Sequence, residues 1–209
     1  MLLFISFIIF KSHDDFSYYH FPYIYYLTQS ELVLGIGNFN HGFRTPSSIF
    51  YLNSLFYLPI IKYYFFQIGA ILIMGFSCNY FIYLIKKGLK VKNYDKFFFL
   101  SLLFFLFTII FFYRIAEHGT DRSAQILIFL LIIELLFIIN FEKGIRENIV
   151  KISIILGLVI SLKSFYILYL ALILPVLYYF LIDKKFNNIL LIFKNYFFYF
   201  FLLLFSNVL

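Results

Sequence analysis

Long stretches of this chain carry no charge, and their length limits what it can fold into. Residues 63–85, 97–113 and 164–182 are uncharged, and 124–141 holds a single charge, Glu134. A helix needs about 20 mainly apolar residues to cross the hydrocarbon core of a bilayer, and these runs approach or meet that length. The rest of the sequence does not compensate, because 64% of the 209 residues are hydrophobic and only 13% are charged. Soluble domains hold about 45–50% apolar and about 25% charged residues, so a water-soluble fold of this size would lack the polar groups to cover its apolar surface. The expected fold is therefore all-α, a polytopic transmembrane helix bundle. The 33 Phe suit acyl chains, and the 19 Tyr suit a headgroup belt that contains no Trp.

Spans are expected near 1–10, 63–85, 97–113, 124–141, 152–162, 164–182 and 189–209, all in one transmembrane domain covering 1–209. The first is too short to cross alone. It has neither the basic start nor the small-residue cleavage site of a signal peptide, so it reads as the end of a helix that begins before Met1. The apolar run that reaches Leu209 likewise implies a protein that continues. Segment 152–182 is interrupted only by Lys163. As one helix it would be about 46 Å long, too long for a core of about 30 Å, so two short passes turning near 161–164 fit better.

Basic residues set the orientation, since cytoplasmic loops carry an excess of Lys and Arg. Lys86, Lys87, Lys90, Lys92 and Lys96 fall in one connection, Lys143, Arg146 and Lys151 in a later one, and Lys184 and Lys185 in a third. These alternate correctly to share the cytoplasmic face, which also accounts for most of the formal charge of +7. No basic–aromatic surface for nucleic acid accompanies it. The opposite face receives a long outer loop, 11–62, and a short one, 114–122. In the long loop, 18–26 is rich in aromatics and 49–61 is apolar but broken by Asn53 and Pro59. Such lengths suit interfacial helices better than spans.

That orientation sorts the polar residues. All four histidines (His13, His20, His41, His118) and five of the ten acids lie on the non-cytoplasmic side. Asp14 and Asp15 form an adjacent pair at the mouth of the first helix. Such a pair can bind a divalent cation through oxygen or supply a general base, and either acid can equally cap the helix behind it. Glu117, His118, Asp121 and Arg122 crowd a loop that needs only a few polar residues to turn. There Glu117 and Asp121 are candidate metal ligands and Arg122 a candidate phosphate ligand, while Asp121 would also serve as an ordinary helix cap. Arg44, in a glycine-containing polar patch, and Lys163, at the outer end of a short helix, are further candidates for phosphate. The plainer readings are an interfacial arginine and a lysine snorkelling to the headgroups. Glu134 is expected to face the bundle interior. The sequence has no Walker loop, no zinc-type Cys/His spacing and no GxSxG.

The pattern resembles the GT-C superfamily of integral membrane glycosyltransferases, near its protein-mannosyltransferase and aminoarabinose-transferase branch. The resemblance rests on four features: the acidic motif His13-Asp14-Asp15 with Tyr18, Tyr19 and His20 behind it, interfacial segments in the long loop, the polar motif 117–122, and the glycine-containing helix 157–163 ending in lysine. It implies a polyprenyl-phosphate-linked sugar donor and transfer on the extracytoplasmic face of a bacterial inner membrane. Asp14 or Asp15 would act as base, and Arg44, Arg122 and Lys163 would hold the donor phosphate. His13, His20, His41, Glu117, His118 and Asp121 would support the site or hold a divalent cation. The alternative is a polytopic transporter, a flippase or a non-catalytic membrane protein fragment. Transporters place ionisable residues at mid-membrane, and here only Glu134 is central.

Overall fold

A computed structural model describes residues 15–31, 33, 35–44, 46–111, 119–141 and 144–195. Among these all regular structure is helical, apart from one isolated bridge between Leu58 and Lys62. The α-helices are α1 (Phe21–Gln29), α2 (Ser48–Ser54), α3 (Ile68–Val91), α4 (Lys96–Phe111), α5 (Thr120–Asn140), α6 (Ile145–Leu162) and α7 (Leu174–Ile182). Among the described residues three helical stretches are long and apolar enough to cross a membrane: Tyr63–Val91, Thr120–Asn140 and Ser164–Ile182. The similarly apolar Lys96–Phe111 is shorter. The chain divides into two compact units, Met1–Ser123 and Ala124–Leu209.

In the first unit, α3 and α4 form a tight antiparallel hairpin. Phe97, Ser101, Phe104 and Thr108 are buried at spacings of four, three and four, which puts them on one stripe of α4. Ser77, Phe81 and Leu84 of α3 are buried as well, and the Phe81 and Phe104 rings meet at 6.1 Å. The small serines and threonine let the backbones approach, as in helix pairs inside lipid. Thr108 satisfies its own hydroxyl by donating to the Phe104 carbonyl at 2.7 Å. Asp95 starts α4 by accepting the Phe98 N–H at 3.0 Å.

The segment before α3 is an aromatic layer. The Tyr23 and Phe50 rings meet at 5.6 Å, Tyr23 and Phe43 at 5.2 Å, and Phe21 and Phe66 at 6.1 Å. The Tyr23 and Tyr51 hydroxyls share a hydrogen bond of 3.2 Å. The apolar stretch 49–61 is not one helix, because α2 ends at Ser54 and the chain then turns through Pro59 to the Leu58–Lys62 bridge. Asn53 from α2 accepts the Gly69 N–H of α3 at 2.9 Å while fully buried.

In the second unit, Leu131, Leu135 and Ile138 of α5 share a core with Ile149, Ile152 and Leu156 of α6. Ile173, Val176, Phe180 and Ile192 complete it. Glu134 is buried in this unit, and its carboxylate stands 3.8 Å from Lys151 Nζ of α6. Helix α6 ends at Leu162, and Lys163 is extended (φ −158°, ψ 118°). The chain then winds as a 3₁₀-helix from Ser164 to Ile173 before α7 begins. Residues 186–195 are helical too.

Several boundaries differ from those the charge pattern suggests. The run 63–85 begins with a 3₁₀ turn, Tyr63–Phe65, and its α-helix continues through the lysines to Val91. The run 152–162 belongs to a helix that starts at Ile145, and 124–141 to one that starts at Thr120. In each case charge ends the apolar run but not the helix, since Lys, Arg and Glu are good helix formers. Residues 1–10 and the end of 189–209 lie outside the described residues.

Candidate functional site

Asp15 leads into a π-helical turn, Phe16–His20, that runs directly into α1. Hydrogen bonds in such a turn reach five residues along the chain, so Asp15, Tyr19 and His20 come to the same side. Asp15 occupies the N-cap position with helical dihedrals (φ −68°, ψ −21°) but makes no side-chain capping bond. The described geometry therefore does not use this carboxylate as a cap.

The turn is held from below by the 3₁₀ segment His41–Arg44. Asn40 accepts the Gly42 N–H at 2.8 Å and donates through Nδ2 to the Tyr18 carbonyl at 3.3 Å. Gly42 lies so close to Tyr19 that a Cβ there would overlap the Tyr19 Cβ and ring. Tyr19 is further fixed by the His20 ring, edge-on at 4.3 Å, and His20 by Phe50 at 5.1 Å. His20 itself is 6% exposed.

Above this platform lies a cavity of about 180 Å³, lined by Asp15, Tyr19, His20, Gly119, Thr120, Asp121 and Arg122. All seven belong to the first unit. Two carboxylates, a guanidinium, a phenol and an imidazole thus line one small space at the start of α5. The electrostatics agree with the geometry, because the Tyr19 phenol is pushed up to about 12, first by burial and then by the charges of Asp15 and Asp121. Both acids act on the same hydroxyl. Asp121 lies inside the first turn of α5, where the helix N-terminus favours negative charge.

The remaining sequence candidates are placed differently. Arg44 and His41 are exposed and do not line the cavity, and Arg44 Nε donates to the Gly37 carbonyl at 3.0 Å. Lys163 belongs to the second unit, at the end of α6. His13, Asp14, Glu117 and His118 lie outside the described residues. Among the described residues no three His, Cys, Asp or Glu side chains gather as a metal group. Asp15 and Asp121 are the carboxylates this part of the cavity offers a cation. The sequence did not mark Tyr19, Gly119 or Thr120 as lining. The available signal was the spacing of Asp15 and Tyr19, four residues apart and so on one helix face.

Among the described residues the fold is helical, with helices of membrane-crossing length and a pocket of acidic and basic side chains at the head of one of them. The chain belongs to the family described as a domain of unknown function, DUF8201, which it matches over residues 1–209. No curated protein and no solved structure matches it.

Proposed function

We propose that this chain is a multi-pass integral membrane protein, with interfacial helices in its long first outer loop, that transfers a sugar from a polyprenyl-phosphate-linked donor on the non-cytoplasmic face. One observation carries the reading: Asp15 and Asp121 line the same cavity as Arg122 at the N-terminus of α5. In this scheme Asp15 takes the proton of the acceptor hydroxyl as its oxygen attacks the anomeric carbon. The bond from that carbon to the phosphate oxygen breaks, and the polyprenyl phosphate leaves with the electron pair. Arg122 and the first amides of α5 hold the phosphate, a role suited to a guanidinium beside a helix N-terminus. Asp121 faces the sugar side, where it stabilises developing positive charge or binds a divalent cation through oxygen. Arg44 and Lys163 stand as further donor-binding proposals on sequence position. The setting proposed, from the resemblance to GT-C enzymes, is a bacterial inner membrane.

A transporter or flippase is the second reading, and the buried Glu134 beside Lys151 favours it, since ionisable residues within spans often line transport paths. Sugar transfer by purified full-length protein separates the two. Asp15→Asn should lower turnover by about 10²-fold or more with the fold retained, and Asp14→Asn should do so if Asp14 is the base. Arg122→Ala should raise the KM for donor, because the phosphate is present in the ground state. Full turnover in both aspartate variants would defeat the assignment.

A further inference from the structure

The other end of the α3–α4 hairpin carries a charge cluster that the cavity does not use. Lys86, Lys87, Lys90, Lys92 and Lys96 are all exposed at this turn. Among the described residues, Lys86, Lys87, Lys90 and Lys92 have no acidic partner. The one carboxylate in this stretch of sequence, Asp95, is committed to the Phe98 N–H. The turn is also fixed in shape. Lys92 is left-handed (φ 54°), and the Asn93 N–H donates to the Gly88 carbonyl at 3.0 Å. A Cβ on Gly88 would come within 2.7 Å of the Phe98 ring, so the two helices close tightly here. Apolar side chains alternate with the lysines: Leu89 is 51% exposed, Val91 68% and Tyr94 54%. Helix α3 has 24 residues, which at 1.5 Å each gives about 36 Å, more than a hydrocarbon core of about 30 Å. Its lysine-bearing end therefore reaches past the acyl chains.

We propose that this turn is a binding site for anionic phospholipid headgroups, with lysines on the phosphates and Leu89, Val91 and Tyr94 in the acyl boundary. A bilayer fits better than nucleic acid because the lysines are interleaved with exposed apolar groups, which a phosphate backbone would leave in water. The site rests on the membrane reading given above, and the experiment separates the two. The full chain is reconstituted in phosphatidylcholine vesicles with spin-labelled phosphatidylglycerol or phosphatidylcholine as probe. The motionally restricted fraction should favour the anionic probe by about threefold or more. The preference should fall to parity in the Lys86→Gln, Lys87→Gln, Lys90→Gln, Lys92→Gln variant. It should do the same for the wild type in molar salt, where screening shortens to about 3 Å, which keeps the test independent of how the variant inserts. Restriction of both probes without preference, or a preference that survives substitution and salt, overturns the headgroup site alone. Restriction of neither probe overturns the membrane reading and the site with it. Retention of a single-stranded oligonucleotide without any anionic lipid preference would assign the cluster to nucleic acid instead.

Discussion

Because a side chain at position 42 would run into Tyr19, the aromatic wall of the cavity rests on bare backbone. That contact has a consequence for proton affinity. Tyr19 ionises at about 12 in the folded chain, against an ordinary value of 10.0, because burial and two nearby carboxylates disfavour its phenolate. The folded state holds this proton more tightly than the unfolded state. The contribution to stability is therefore intact below pH 10 and is lost as pH rises toward about 12. Tyr19→Phe should remove that alkaline loss, and a phenolate-absorbance titration should show one fewer group ionising near the top of the range. Gly42→Ala should displace the ring and bring its ionisation back toward 10.0. Asp15, His20, Asp121 and Arg122 were legible in the sequence as polar residues on one predicted face. The closeness of Gly42 to Tyr19 was not, because it joins two local turns whose docking no periodicity encodes.

At the level of single elements, capping is where sequence and structure part most clearly. Asn53 reads as an interruption of an apolar stretch. In the fold it serves α3, sixteen residues on, by accepting the Gly69 N–H that the first helical turn leaves without a partner. Asn53→Ala should cost about 1 kcal/mol, and it should speed hydrogen exchange at the first amides of α3 more than at its middle. Gly69→Ala should do similar harm, since its Cβ would stand 2.7 Å from the same oxygen. The existence of α3, α4 and α5 follows from their apolar runs, whereas the Asp95 bond that starts α4 is seen only in the structure. The end of α3 and the start of α6 do not follow, because lysine and arginine stop hydrophobicity without stopping helical hydrogen bonding.

For the whole chain, the lysine distribution makes a prediction that packing does not. In a Cys78→Ser background, Lys90→Cys should resist a membrane-impermeant thiol reagent in intact cells, while Asn40→Cys should react. Labelling at Lys90 without labelling at Asn40 would invert the orientation and place the Asp15–Asp121 cavity on the cytoplasmic side. Alternating charge is readable at this scale because it is a sum over many residues. The winding of a helix is not, and Ser164–Ile173 shows why that matters. Its composition suits an ordinary α-helix, yet its ten residues follow a 3₁₀ path, which at about 2.0 Å per residue covers about 20 Å. In α form the same residues would cover about 15 Å. Rewinding would also rotate α7 by more than half a revolution, turning Val176 and Phe180 away from the core they now fill. The segment from Lys163 to Ile182 thus has its reach and its facing fixed by a single choice of pitch. In the membrane setting proposed for this chain, a bilayer a few ångströms thinner would press on both at once.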